Sequence, residues 1–196
     1  MSILNASDLL AERRRVFVAA RGGISLPFAG AIYWIVVGVL GYSLAPKDWA
    51  LAALYMSGAI FPLGLILQGV FKSRFMKVKS PLGGASMAAI IAINLMWPLH
   101  FVIYALDPVA LGLSLAIGMT LHWPVIGWSY ASKVCYLHAG ARIAGVTAVW
   151  IAFPDERMTL LPFVVAALYL LAVVGIAMEV AWTRRRIEGS ADAVTA

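Results

Sequence analysis

Apolar residues fall in six runs along the chain, at about 28–45, 49–71, 84–106, 109–131, 137–153 and 160–182. The separators are Pro46-Lys47-Asp48, the basic stretch from Lys72 to Ser80, Asp107-Pro108, a stretch around Lys133, and Pro154-Asp155-Glu156-Arg157. Pro and Asp break helices and turn the chain back. A helix needs about 20 apolar residues to cross the hydrocarbon core, and each run is near that length. The pattern predicts an all-α integral membrane bundle of six transmembrane helices, preceded by an amphipathic interfacial helix. The predicted organisation is a cytoplasmic segment 1–27, a transmembrane domain 28–182 and a cytoplasmic tail 183–196.

The leading helix is expected from Ser7 to Ala20, with Ser7 as cap, Asp8 in the first turn and Gly22-Gly23 as the stop. Leu9, Leu10, Val16 and Phe17 are its apolar contacts, and Arg13, Arg14 and Arg15 can meet lipid phosphates. The first long apolar run begins at Phe28, late for a cleavable signal peptide.

Composition agrees with lipid as the solvent. The chain is 63% hydrophobic and 12% charged, against about 45–50% and about 25% for soluble domains. Its net charge of +6 could suggest nucleic acid, but the basic residues are scattered in short inter-helix segments, so no nucleic-acid partner is expected. With the N-terminus inside, the cytoplasmic segments carry Arg13, Arg14, Arg15, Arg21, Lys72, Arg74, Lys77, Lys79, Lys133, Arg142, Arg184, Arg185 and Arg186. Only Lys47 and Arg157 fall outside. The positive-inside rule therefore predicts both termini in the cytoplasm. Cys135 is the single cysteine, which excludes an intramolecular disulfide and a zinc site of several thiolates. No metal and no cofactor is expected.

Polar residues within apolar runs are the informative ones, because a mid-span charge is costly and faces the bundle interior. Glu179 is the one acid inside a span. Arg142 lies about five residues into span 5, roughly 8 Å from its cytoplasmic edge, at a depth similar to Glu179. An Arg142–Glu179 ion pair is expected; a snorkelling arginine, or an anion or headgroup site beside His138, are the alternatives.

His122 lies near the midplane, on the same face as Ala110, Ser114 and Gly118 at steps of four, a small-residue face that packs closely on a neighbour. Pro124 frees a carbonyl in the turn before it. Asn94 lies at similar depth, His100 follows Trp97-Pro98, and Pro62 interrupts span 2. Interrupted spans at matching positions point to a binding site. The candidate site is thus Pro62, Asn94, Pro98, His100, His122 and Pro124, walled by Trp97, Trp123, Trp128 and Tyr130. Against it stand prolines that serve kinks alone, an Asn–His bond acting as interhelical glue, and aromatic residues that anchor span ends. Trp34 and Trp97 lie 63 residues apart, and Pro46 and Pro108 lie 62 apart, a spacing that fits duplication of a helix pair or chance.

The stretch His122 to Tyr130, with Arg142, Trp150, Phe153-Pro154 and Leu161-Pro162 downstream, resembles a family of small multi-pass bacterial membrane proteins of unknown function. The resemblance implies a fold and a bacterial inner membrane, and no functional residues. The function these residues favour is binding or permeation of a small molecule or ion in the bilayer, with a homo-oligomer allowed. Alternatives are a structural or regulatory protein acting through helix or lipid partners, and an intramembrane enzyme using His122 as acid or base.

Overall fold

A computed structural model describes residues 5–195, with side chains described through residue 189. Every regular element among the described residues is helical. The first helix, α1 (Ala6–Ala19), starts one position earlier than expected. Asn5 rather than Ser7 is its cap, accepting the Asp8 amide at 2.8 Å, while the Ser7 hydroxyl donates to the same Asn5 oxygen. It ends at Arg21, Gly22 and Gly23, three consecutive left-handed residues with φ of 49°, 62° and 64°. A Cβ on Gly22 would stand 2.2 Å from the Ile176 side chain, so glycine serves both the turn and the close approach.

Among the described residues, five stretches are long and apolar enough to cross a membrane: Arg21–Leu40, Gly83–Leu106, Ala110–Tyr130, Lys133–Ala152 and Leu160–Gly189. They contain α2 (Ser25–Leu40), the pair α5 (Gly83–Asn94) and α6 (Trp97–Leu106), the pair α7 (Ala110–Gly118) and α8 (Trp123–Tyr130), α9 (Lys133–Ala152) and most of α10 (Leu160–Thr195). A sixth arises if α3 (Pro46–Ser57) and α4 (Ile60–Phe71), bent 51° at their junction, are taken as one. The breaks have a covalent cause. Pro62, Pro98 and Pro124 lack the amide that would continue the helical ladder, and each break lies within the turn before its proline.

Packing is uneven. The α2 helix runs against α10 and α4, and α9 against α10, α8 and α7. The α6 helix rests on α7, α5 on α8, and α1 on the ends of α8 and α10. Glycines permit the closest approach, since a Cβ on Gly30 would meet the Tyr169 ring at 2.9 Å and one on Gly112 would meet Trp49 at 2.5 Å. Hydrogen bonds fasten α3 to α2, from the Tyr33 hydroxyl to the Ala53 carbonyl at 2.7 Å and from the Trp49 indole to the Val37 carbonyl at 2.9 Å.

Candidate functional site

The α9 helix begins at Lys133, four residues before the expected start of span 5. Ser132 caps it, and the Glu179 carboxylate of α10 accepts from the Ser132 hydroxyl at 2.5 Å and from the Lys133 amide at 2.8 Å. A carboxylate at a helix N-terminus is favourably placed for the helix dipole. This corrects two expectations. Arg142 stands nine residues into a 20-residue helix, about 14 Å from its end, and so near the middle of the helix and not close to its start. The Arg142–Glu179 ion pair does not form, because Glu179 is committed to the start of the helix in whose middle Arg142 sits.

Arg142 is completely buried, at 0% exposure. Its three guanidinium nitrogens have no hydrogen-bond partner among the described residues. What surrounds the cation is aromatic: the Tyr169 ring centroid lies 4.6 Å and the Trp34 centroid 5.8 Å from the guanidinium carbon. Trp34 follows the start of α2, Tyr169 the start of α10 and Arg142 the start of α9 by nine residues each. The Gly30 contact described above lets Tyr169 reach this position. Such rings stabilise a desolvated cation by roughly 2 kcal/mol, but they do not satisfy its N–H groups.

The aromatic wall continues to two histidines. The His138 ring stacks obliquely on Trp123 at 4.0 Å and on Tyr169 at 5.1 Å, and His122 lies 6.0 Å from Trp123. Nδ1 of His138 donates to the Leu168 carbonyl at 3.1 Å, which leaves Nε2 unpartnered. The indole nitrogens of Trp34 and Trp123 and Nδ1 of His122 are buried without a partner as well. Buried polar groups are rarely left so; here they share one cluster, drawn from α2, the start of α8, α9 and α10.

The sequence-predicted site disperses by comparison. Asn94, the exposed last residue of α5, bonds along its own span, donating to the Ile90 carbonyl at 2.8 Å and accepting from the Trp97 indole at 3.2 Å. His100 is buried against α7, with Nδ1 2.7 Å from the Ser114 hydroxyl. A Cβ on Gly118 would meet the His100 ring at 3.1 Å. The Ser114–Gly118 face thus receives His100, and the break over 119–122 ends the stripe before it reaches His122. Pro62, Pro98 and Pro124 are exposed; they interrupt spans without lining the cluster. Trp128 and Tyr130 point to α1 instead. Arg13 stacks over Trp128 at 5.0 Å and donates to its carbonyl, while Phe17 meets Tyr130 at 5.5 Å. Of the expected site, His122 and Trp123 stand in the buried cluster; Trp34, His138, Arg142 and Tyr169 join them. The mid-run positions of Trp34 and Tyr169 were the available signal for the last pairing.

A family model, described as a family of unknown function (DUF7010), matches residues 9–179, from within α1 to Glu179. The chain belongs to the DUF7010 family. The matched segment contains every residue of the buried cluster and both partners of the α9 cap. Neither the curated proteins nor the solved structures gave a match.

An open apolar groove of about 770 Å³ lies on the other face of α9. Gly140, Ala144, Thr147 and Ala148 line it together with Thr120, Leu121 and Pro124. At 100° per residue these α9 positions lie away from Arg142, so the helix itself separates groove and cluster.

Proposed function

We propose that the chain is a six-span protein of the bacterial inner membrane, with both termini cytoplasmic, that binds a small molecule or ion at the Arg142 cluster. The six-span count takes α3 and α4 as one bent span. The orientation rests on the positive-inside rule. With Arg142 assigned to mid-span, twelve of the remaining fourteen basic residues still fall on the cytoplasmic side of this arrangement. The bacterial membrane rests on the family resemblance.

One observation carries the binding reading: a fully buried arginine with no hydrogen-bond partner among the described residues, midway along a membrane-length helix. A mid-span arginine costs about 2.5–3.5 kcal/mol on insertion scales, and such residues are by default functional. Binding is favoured over permeation because the cluster is closed by Trp34, Tyr169 and Trp123, each at most 5% exposed. Native mass spectrometry of the detergent-solubilised protein tests this, wild type against Arg142→Met. A bound species lost from the variant is expected; the same species on both proteins would move the site elsewhere.

The groove on α9 favours a second reading, a regulatory protein that docks a partner helix. Gly140, Ala144 and Ala148 are exposed at steps of four, and small residues at that spacing let helix backbones approach. Cysteine crosslinking from Ala144→Cys in membranes tests it. A specific crosslinked product is expected if a helix seats there, and none if lipid fills the groove.

A further inference from the structure

We infer that the ligand of the Arg142 cluster is a small monovalent anion, held at mid-membrane by donors that no acceptor among the described residues meets; this rests on the binding reading above. The argument is an inventory of hydrogen-bonding capacity. Arg142 offers five N–H groups and accepts nothing; the indoles of Trp34 and Trp123 each offer one and accept nothing. All of these nitrogens that are buried stand without a partner among the described residues: Nε, Nη1 and Nη2 of Arg142 and the two indole nitrogens. The unpartnered Nδ1 of His122 donates in one tautomer; His138 adds no donor as a neutral ring, because its proton is on Nδ1 and goes to the Leu168 carbonyl. A ligand suited to this set accepts several hydrogen bonds and need not donate any.

Charge gives the same answer. The Glu179 carboxylate has both oxygens engaged at the start of α9, and Arg142 makes no ion pair among the described residues. Aromatic faces lower the energy of the cation but leave its charge uncompensated. One negative charge would neutralise it, and two would leave an excess anion in a low-dielectric interior. The aromatic walls, with Trp123, Tyr169 and Trp34 packed around the site, suit a compact species such as a halide, nitrate or formate. Lipid phosphate shares the acceptor chemistry, but Arg142 lies about 14 Å from the end of its helix, well below headgroup level.

The test is thermal unfolding of the full chain in detergent at fixed sodium concentration, with chloride, nitrate or formate replacing gluconate. Wild type should show a saturable rise in midpoint with at least one small anion, and Arg142→Met should show none. Trp34→Phe keeps a ring beneath the guanidinium and removes one donor. It should weaken the apparent affinity about tenfold, the loss of one hydrogen bond to a charged group, and it carries the test should Arg142→Met fail to fold. A response to small anions that is equal in wild type and both variants overturns the proposal, as does no response in wild type. A neutral or cationic species on wild type that is lost from Arg142→Met in the mass spectrum overturns the anion assignment while the binding reading stands. Neither bound species nor anion response overturns both.

Discussion

The α2 stretch and the α5–α6 stretch are both apolar helices of membrane length, with mean hydropathies of 1.9 and 1.8, yet they are used in opposite ways. The first is 56% buried inside the bundle and the second 6%. Each carries a tryptophan and a proline, so residue type does not separate them. The difference is access to partners. Along α2, Gly30 and Gly38 let Tyr169 and Phe163 of α10 lie against the backbone, and the interface closes around Arg142. On α5, Gly83 and Gly84 face open space, Asn94 bonds within its own span, and Ser86 makes a single hydroxyl contact to Ser129 of α8 at 3.2 Å. A polar residue at the right depth becomes part of a shared site only where its helix is packed on several sides.

That contrast can be broken by deleting its parts. Tyr169→Ala removes a buried ring and should cost about 3–5 kcal/mol, the range of large aromatic truncations. Phe101→Ala, on the exposed face of α6, should fall within about 0.5 kcal/mol. Chemical denaturation in mixed micelles measures both, and equal losses would erase the distinction between the two regions. Next in size, Gly30→Val drives a side chain into Tyr169 and should cost about 1–3 kcal/mol, whereas Gly84→Ala should be neutral or stabilise by about 0.4–1 kcal/mol. Glu179→Gln should cost about 1 kcal/mol through the weakened α9 cap, seen as faster amide exchange at Lys133 with anion response retained. An ion pair with Arg142 would instead make Glu179→Gln and Arg142→Met non-additive.

The smallest effects lie at the periphery. Asn94→Ala should cost under about 1 kcal/mol and leave ligand binding intact. On α1 the Glu12 carboxyl is held down to about 2, first by its hydrogen bond from Arg15 and also by Ser80. A lowered carboxyl pKa means that its contact is fully present above the ordinary range and is lost as pH falls through about 2. Amide exchange protection in α1, corrected for intrinsic rates, should therefore be the same at pH 5 and pH 8. A loss of protection at pH 5 would show that this contact does not hold α1.

The helical, membrane-length character of the chain was legible because it rests on local apolar runs, and the kinks were legible because proline acts on its own backbone. Partner choice was not. Arg142 and Glu179 occur at plausible depths, but the start of α9 depended on Ser132 and a carboxylate 47 residues away, which no local pattern displays. The stripe from Ala110 to Gly118 correctly indicated close packing, yet extending it to His122 assumed an unbroken helix. Trp34 and Tyr169 looked like ordinary apolar residues until the fold brought their faces to the guanidinium.

The position of Arg142 also bears on how the chain enters the bilayer. The α9 stretch has a mean hydropathy of 1.3, the lowest of the five, and α10 has 2.6, the highest. With an arginine at its centre and a lysine at its start, α9 has little tendency to partition on its own as it leaves the ribosome. It is followed at once by the stretch with the greatest tendency, which also supplies Tyr169 to cover the cation and Glu179 to cap the helix. Insertion of α9 and α10 as a hairpin would let the later helix carry the earlier one into lipid, so that the residue most costly to the nascent chain is committed only when its shelter arrives.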